Sequence, residues 1–383
     1  MKEIIRVESK RILSRKSYLI ISIIILIFSI FNSLSSLRKY NVYDPSGNII
    51  IYSKDNLKES KLDKHNKLLD EKTIKEVVER KDKSKYLYNS NLVTLIALNY
   101  EKKVEDLTDK DISNFYSQRV SNFKSMKIKA AREEDKETFA NIGKKLNTPI
   151  QLGYTEGWKN LNNDMTDFVT VVIFIIPFII LSIFGEDPKT RMKEIYTATK
   201  HGKCDLVKAR IITGFRVGAI IYTTAIFIFS LSKLLILGFK GANLPIQSSV
   251  NYFFCPYNIT YFEQYLINVV VGFMAMLVLV AITLLVSSVS EQILSSAVVV
   301  TFILGIMTML PNNKFYFNHY FKNFVPYSMT NFKHYYLYPE IYNVFGKIIP
   351  TYTLVTLVSF IACIVFIILT VVISNKKLSS TLK

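Results

Sequence analysis

The chain alternates between apolar stretches about as long as a membrane is thick and segments that are dense in charge. Six apolar stretches occur, at residues 18–37, 168–184, 211–238, 265–288, 293–310 and 348–374. A helix needs about 20 apolar residues to cross the hydrocarbon core of a bilayer, and windows of this length with almost no charge are not typical of soluble core helices. The pattern therefore predicts an all-α polytopic membrane protein with six transmembrane helices.

Basic residues beside the apolar stretches predict how the chain is oriented. They concentrate in residues 1–17, 185–210 and 375–383, and an excess of Lys and Arg beside a span favours the cytoplasmic side. Both termini are therefore predicted to be cytoplasmic, with residues 1–17 forming an amphipathic elbow helix at the membrane surface. A cleavable signal peptide is the alternative for the first stretch, but its apolar region is longer than usual and no A-x-A site follows it.

Residues 38–165, between the first and second stretches, predict a large, mainly helical extracellular insert. Thr108, followed three residues later by Asp111, matches a helix-capping box. Two sets of residues recur at helical spacing: Leu92, Leu95, Ile96 and Asn99, and then Ile112, Phe115, Tyr116, Arg119 and Phe123. No nucleophile stands beside a base at a recognisable spacing, so the insert is predicted to be a solvated domain without an enzyme site. Its expected role is to cap or select what passes below it.

Composition narrows the classes of function. The 383 residues carry a formal net charge of +18, which in a soluble protein would indicate a nucleic-acid partner. Here much of the excess lies beside membrane spans, where anionic headgroups favour it, and no basic-aromatic motif for nucleic acid occurs. The cysteines Cys204, Cys255 and Cys363 are far apart and show no CxxC spacing, so neither a metal site nor redox chemistry is predicted.

The apolar stretches contain few ionisable residues. No ionisable residue lies near the middle of a stretch, and Lys233, near the end of the third, is predicted to snorkel toward the membrane surface. Proton or ion coupling usually requires buried ionisable groups, so a proton-driven pump is disfavoured. Gly214 and Gly218 form a GxxxG pattern, which packs some membrane helices but is common and carries little weight.

Residues 185–210 carry the strongest local pattern. Asp187 before Pro188 is typical of a helix start, and Gly202 is typical of a helix end. Between them a narrow stripe recurs at i, i+3, i+4 and i+7, formed by Met192, Ile195, Tyr196 and Thr199. Two functions fit this helix: it lies on the inner membrane surface, or it inserts the stripe into a groove on a soluble partner.

This loop resembles the first intracellular loop of type-2 ABC exporter permeases. In that family a Glu at the end of the second span, here Glu186, precedes a short coupling helix, and a Gly and a basic start of the third span follow, here Gly202 and residues 208–210. The resemblance extends to the order of parts: a basic elbow, a large external domain ending in residues 154–159, six spans and an aromatic loop before the last span. It implies the membrane-spanning subunit, in a bacterial cell membrane, of an ATP-driven exporter that moves a peptide, antibiotic or lipid-like cargo outward.

The resemblance also implies partners. The chain has no G-x-x-x-x-G-K-[ST] motif, so ATP and Mg²⁺ are expected only in a separate ABC ATPase subunit, present in two copies. This chain is then no enzyme and holds no cofactor. A second permease subunit, identical or different, and membrane lipids are the other expected partners, and nucleic acid is not one. The expected ATPase-contacting residues are Arg191, Met192, Ile195, Tyr196 and Thr199, with Glu186, Asp187 and Pro188 at the start of the loop.

Residues 311–347 are crowded with aromatic side chains. Amphipathic rings are favoured at headgroup depth, which predicts an interfacial or re-entrant helical hairpin. An aromatic belt is the plainer interpretation. In the resembling family this region lies above the exit of the transport pathway, so contact with cargo is a hypothesis for Phe324, Tyr327, Phe332, Tyr335 and Tyr336.

Two other classes of function remain open. A sensing or scaffold subunit would bind an extracellular peptide through the insert and signal without net transport. A passive channel would not depend on an ATPase. Cargo accumulation in cells that lack the protein would distinguish the exporter from the sensor.

Overall fold

The structure, a computed structural model, describes residues 2–14, 16–40, 42–43, 49–51, 55, 57, 67–79, 87–100, 102–103, 106–124, 135–185, 202–290, 292–310, 321–344 and 347–380. Within these ranges the chain is mostly helical. It begins with two helices, α1 (Lys2–Leu13) and α2 (Lys16–Arg38). A short antiparallel pair follows, in which β1 (Val42–Tyr43) pairs with β2 (Ile49–Ile51).

Short helices make up the described part of the insert. They are α3 (Glu71–Glu79), α4 (Leu87–Tyr100), α5 (Asp109–Ser113), α6 (Phe115–Lys124) and α7 (Asp135–Gly143). The predicted capping box is confirmed: the Thr108 hydroxyl accepts a hydrogen bond from the Asp111 N–H, and the Asp111 carboxylate accepts one from the Thr108 N–H. Most residues of the two predicted helical sets are buried, namely Leu92, Leu95, Ile96, Asn99, Ile112, Phe115, Arg119 and Phe123.

Long apolar helices follow the insert. They are α8 (Glu156–Ile180) with its short continuation α9 (Ser182–Gly185), α10 (Gly202–Leu237), α11 (Tyr261–Val289) and α12 (Ile293–Met309). The chain ends with α13 (Pro326–Met329), α14 (Phe332–Leu337), the hairpin of β3 (Ile341–Val344) and β4 (Lys347–Pro350), and α15 (Thr351–Ser380). Single 3-10 turns lie at Ile246–Ser248, Val250–Tyr252 and Lys322–Phe324.

Five helical segments of the described chain are long and apolar enough to cross a membrane. They are Tyr18–Arg38, Glu156–Phe184, Asp205–Leu237, Tyr261–Val289 and Thr351–Lys376. The predicted fifth span corresponds to α12, which is apolar but only 17 residues long. At 1.5 Å per residue this is about 26 Å, somewhat less than the hydrocarbon core of a typical bilayer. The chain is thus a mostly helical membrane protein, and its described residues include five such helices and one shorter apolar helix.

The centre of the bundle is formed by α8, α10 and α11, with α15 packed on α11 and both α1 and α2 packed on α10. Two glycines allow α10 to approach α11 closely. A Cβ atom on Gly214 would lie 3.0 Å from the Leu284 side chain, and one on Gly218 would lie 3.0 Å from Val280. The GxxxG pattern therefore lies at a helix contact, as small residues in membrane helices often do.

The insert is not closed on itself. Its core of buried residues includes Leu69, Leu95 and Phe115 from the insert and also Phe253, which lies in the loop between α10 and α11. A second contact joins the same two parts, because the Asn258 side chain accepts a hydrogen bond from the Asn147 N–H at 3.0 Å and donates one to a carbonyl of the insert. The α10–α11 loop therefore completes the core of the insert.

Several elements differ from their predicted extent. Helix α10 begins at Gly202, nine residues before the predicted third span and at a residue that was predicted to end a helix. The helix that contains the second apolar stretch begins at Glu156, within the predicted insert, because the polar side chains of its first turns are buried against other elements of the protein. The aromatic loop was predicted as a helical hairpin, but its described residues form the short helices α13 and α14 and the β3–β4 hairpin. Of these, α14 buries Phe332, Tyr335 and Tyr336 in the core of the bundle.

Candidate functional site

The predicted ATPase-contacting segment lies outside the described residues. This holds for Glu186, Asp187, Pro188, Arg191, Met192, Ile195, Tyr196 and Thr199. Its two flanks are described: α9 ends at Gly185, α10 begins at Gly202, and both helices contact α1. Helix α1 therefore lies beside both ends of the segment.

A buried ion pair fastens α1 to the base of α10. The Oε1 atom of Glu8 lies 3.9 Å from Nε of Arg210, and both side chains are almost fully buried. Glu8 also pairs with Arg11 of its own helix, at 2.7 Å. The guanidinium of Arg210 lies over the ring of Phe184, 5.5 Å from its centre, on the last turn before the segment. One arginine thus contacts the elbow helix and the end of α9 together.

At the other end of the bundle, α2, α8 and α10 meet along a three-helix seam that is built in layers. The first layer is aromatic and takes one ring from each helix. Phe28 stacks on Phe168 with 5.9 Å between ring centres, and Phe168 stacks on Phe229 with 4.0 Å between them. The three rings are nearly parallel, with interplanar angles of 8° and 7°.

The second layer of the seam is an ion pair inside the apolar helices. Nζ of Lys233 lies 2.5 Å from Oδ2 of Asp164 and donates further hydrogen bonds to the Asn32 carbonyl, at 3.1 Å, and to the Ser36 hydroxyl. All three protons of the ammonium group therefore have acceptors. The exposed Lys39 places a second positive charge 3.6 Å from the other carboxylate oxygen. The prediction that Lys233 snorkels to the surface is wrong, because its side chain is fully buried and its partners lie on two neighbouring helices.

The third layer lies where the three helices reach the insert. Tyr40 donates a hydrogen bond of 2.6 Å to the Glu156 carboxylate and accepts one from the Asn160 amide. Burial, together with the charge of Glu156, raises the pKa of Tyr40 well above its ordinary value, so the phenol remains a donor. In the same turns of α8, the Trp158 indole donates to the Phe239 carbonyl at 2.9 Å.

The seam could have been recognised only in part from the sequence. Glu156, Asn160 and Asp164 follow one another at intervals of four residues, which places them on one face of a helix. The same interval separates Phe229 from Lys233. These spacings indicate two matching helix faces, but they do not indicate that the faces meet, and the hydropathy of residues 156–165 assigns them to the insert.

The predicted cargo-contacting aromatic residues divide into two groups. Phe332, Tyr335 and Tyr336 are buried in the same core as the long helices, with 1, 2 and 1 % of their surface exposed. Phe324 and Tyr327 are partly exposed. In this conformation only the second pair presents appreciable ring surface to a molecule outside the protein.

The buried rings belong to a polar network between α8, α11 and α14. The Tyr336 hydroxyl donates to the Asn268 side-chain oxygen at 3.0 Å, and the Asn268 amide donates to Asn162 at 3.2 Å. Burial raises the pKa of Tyr336 well above its ordinary value, so its hydroxyl is a permanent donor. This network holds the aromatic loop on the bundle.

In the same loop, the Glu340 carboxylate lies close to two basic side chains. Its Oε1 atom lies 3.0 Å from Nζ of Lys322 and 3.6 Å from Nε2 of His334, while Oε2 accepts a hydrogen bond from Asn323 at 2.6 Å. Burial opposes ionisation of the carboxyl, but the contacts with His334 and Lys322 outweigh it and lower the pKa of Glu340 to about 2. Among the described residues, no three His, Cys, Asp or Glu side chains gather as metal ligands.

Comparison with known proteins adds no identity. No family model, curated protein or solved structure matches the chain.

Proposed function

We propose that this chain is the membrane-spanning subunit of an ATP-driven ABC exporter that moves a peptide, antibiotic or lipid-like cargo outward. Six spans, with α12 as the fifth, cross a bacterial cell membrane with both termini in the cytoplasm and the insert outside. Two copies of a separate ATPase subunit bind the cytoplasmic face and hold ATP and Mg²⁺. A second permease subunit, identical or different, completes the pathway.

The observation that carries the proposal is the capped amphipathic pattern of residues 186–201 between two helices of one bundle. Its apolar stripe is narrow, and basic residues surround it. Such a stripe suits a groove on a soluble partner. The helices on either side of the segment support this role. Helix α1 contacts both α9, which precedes residues 186–201, and α10, which follows them.

The long helix α10 gives the proposed partner a mechanical route through the membrane. It is continuous over 36 residues, from Gly202 to Leu237, which is about 54 Å at 1.5 Å per residue. Its first turns follow the proposed ATPase contact, and the loop after it supplies Phe253 to the core of the insert. Closure of the ATPase on ATP would move this helix as a lever and shift the balance between inward-open and outward-open states.

The proposed exit lies at the aromatic loop. Phe324 and Tyr327, which are partly exposed, are the first candidates to contact an amphipathic cargo. Phe332, Tyr335 and Tyr336 would contact it only after the polar network with Asn268 and its neighbours opens. Alanine replacements at Phe324 and Tyr327 that left export unchanged would refute a role in cargo contact.

Affinity purification of the tagged chain from its native cells, in mild detergent, tests the partner. The test variant carries Ile195→Asp and Tyr196→Asp on the apolar stripe. The matched control carries Thr190→Asp and Thr197→Asp, which add the same charge to the opposite face of the predicted helix. We expect a P-loop ATPase with the wild type and the control and its loss from the test variant. Absence of an ATPase from all three intact samples would overturn the proposal.

A sensing subunit is the second candidate, and one contact favours it. Because Phe253 lies in the core of the insert, a ligand that rearranged the insert would act directly on the loop between α10 and α11. Cargo measurement separates the two functions. Loss of an exporter raises the cellular level of its cargo, whereas loss of a sensor changes only a downstream response.

A further inference from the structure

The first long helix, α2, is less buried than the three central helices α8, α10 and α11. Only 22 % of its most apolar part is buried, against 61 % for the segments that contain α8 and α11, and the last long helix, α15, resembles α2 with 17 %. Of its apolar side chains, Ile25 alone is more than nine-tenths buried. Its outer face exposes large apolar residues, among them Ile20, Ile24, Ile27 and Phe31. Apolar packing therefore holds α2 less firmly than it holds α8, α10 and α11.

The inner face of α2 is a row of serines. Ser29, Ser33 and Ser36 are buried and lie on one face of the helix. The Ser29 hydroxyl donates to the carbonyl of Ile25 at 2.7 Å, and Ser33 donates to the carbonyl of Ser29 at 2.8 Å. Small serine side chains let the helices approach closely, and the contacts of this row with the neighbouring helices are polar: the Ser33 hydroxyl lies 2.8 Å from that of Ser232 on α10.

The strongest polar connection of α2 to the bundle is the layer around Lys233. The ammonium group of this α10 residue reaches the Asn32 carbonyl and the Ser36 hydroxyl of α2, and it also pairs with Asp164 of α8. Ser36 donates to the same carboxylate at 3.0 Å. One residue thus connects three helices at a single point, and ionisable groups at such depth are costly unless they are paired.

We propose that Lys233 and Asp164 form a conformational latch that holds α2 against α8 and α10, and that α2 separates from them when the latch opens. Lys233 lies on the helix that begins directly after residues 186–201, so an axial shift of α10 would draw Nζ away from the carboxylate. That an ATPase drives this shift of α10 rests on the proposed function. The ion pair and its role in holding α2 do not depend on it.

Disulfide trapping tests the latch on the purified full chain without any partner. The hydroxyl oxygens of Ser33 on α2 and Ser232 on α10 lie 2.8 Å apart, so cysteines at these positions should cross-link rapidly. A second pair, Thr170 on α8 and Thr330 after α13, lies 2.6 Å apart and reports on a contact away from α2. Both pairs are placed in a background in which the three native cysteines are replaced by alanine.

The test variant is Lys233→Met with Asp164→Asn, which removes both charges together and so leaves no buried charge unpaired. We expect it to slow cross-linking of the 33/232 pair at least about fivefold and to leave the 170/330 pair unchanged.

Lys240→Met, at an exposed lysine of the same region, is the matched control and should affect neither pair. Unchanged cross-linking at 33/232 would overturn the latch, and equal slowing of both pairs would overturn it by showing a general role in folding. Loss of the ATPase from purified complexes would leave this result unaffected, so the two proposals fail separately.

Discussion

Arg119 donates two hydrogen bonds to the backbone carbonyl of Phe253, from Nε at 3.2 Å and from Nη2 at 2.6 Å. Its guanidinium carbon also lies 4.7 Å from the centre of the Phe253 ring. Burial lowers the pKa of Arg119 to about 10, so the group remains charged at neutral pH. A charged side chain of the insert is therefore attached directly to the loop between α10 and α11.

Replacement of Arg119 by alanine should release this loop from the insert. The variant loses hydrogen bonds from a charged donor and a cation–π contact, together about 3 kcal/mol. Local opening of residues 250–254 should become roughly a hundredfold more frequent, which hydrogen exchange of their amides would detect. Arg119→Lys should rescue little, since a lysine ammonium does not reproduce the two N–H groups that converge on the Phe253 carbonyl oxygen and does not stack as a plane. Unchanged exchange in Arg119→Ala would show that the contact contributes nothing.

The close approach of Gly157 to Gly238 predicts a severe effect of a single methyl group. A Cβ atom on Gly157 would lie 1.9 Å from the Gly238 carbonyl oxygen, a backbone atom that cannot rotate away. Gly157→Ala should destabilise the protein by at least about 2 kcal/mol, measured as a lower midpoint of thermal unfolding in detergent.

Gly305→Ala is the control for that experiment. Nothing lies within 4 Å of a Cβ atom at Gly305, which is within α12. Alanine is the better helix former, by up to about 1 kcal/mol, so this variant should unfold at the same temperature or slightly higher. Equal losses in the two variants would contradict the packing explanation.

Because Glu340 is ionised in the folded state, the aromatic loop should lose stability at acid pH. Its pKa is lowered from its ordinary value of 4.5 to about 2, so the folded state favours the ionised form. The resulting stabilisation, about 3 kcal/mol, is complete above pH 4.5 and is lost as the pH falls toward 2. Protection of the amides of residues 322–344, taken as the intrinsic exchange rate at each pH divided by the observed rate, should fall across this range in the wild type.

The matched variant for the acid experiment is Glu340→Gln, which keeps the shape of the side chain and cannot be deprotonated. It should exchange faster than the wild type at neutral pH, with less dependence on pH between 4.5 and 2. A wild-type profile that was flat over this range would argue against an ionised Glu340 in the native loop.

The packing of the elbow helix α1 on α10 should depend on the carboxylate of Glu8. Breaking a buried ion pair by removal of one charge costs roughly 3 kcal/mol, and Glu8→Gln removes the carboxylate from Arg210 and Arg11. Tryptic cleavage within α1, after Lys10 and Arg11, should become markedly faster. Glu3→Gln on the exposed face of the same helix is the control, and an equal acceleration there would contradict a specific role of Glu8.

Hydropathy predicted the positions of the long apolar helices, because lipid imposes a length and a polarity on each helix that crosses it. It failed where a polar residue is satisfied by a distant part of the chain. Asp164 and Asn160 were assigned to a solvated insert, yet both lie on α8: Asp164 has partners on α2 and α10, and Asn160 bonds to Tyr40 just after α2. No local window contains Ser36 or Lys233 together with Asp164, so their pairing could not be predicted.

The sequence was more informative about the loop at residues 185–210 than about the aromatic loop at residues 311–347. Capping residues and apolar spacing are local, and so the pattern around Asp187 and Ile195 predicts a helix directly from the sequence. Burial of Tyr335 and Tyr336 depends on where Asn268 and its neighbours lie, and aromatic residues at a membrane surface and in a core have the same composition. The division of the aromatic loop into buried and partly exposed rings therefore required the structure.

The shared core of the insert also decides how this part of the protein can be studied alone. A fragment excised at residues 38–165 would lack Phe253 and expose the apolar surface that this ring covers. It would also leave the guanidinium of Arg119 without its carbonyl acceptor. Antibodies or binders raised against such a soluble piece would be selected against a surface that the intact protein hides, unless residues 250–254 are supplied with it on a linker.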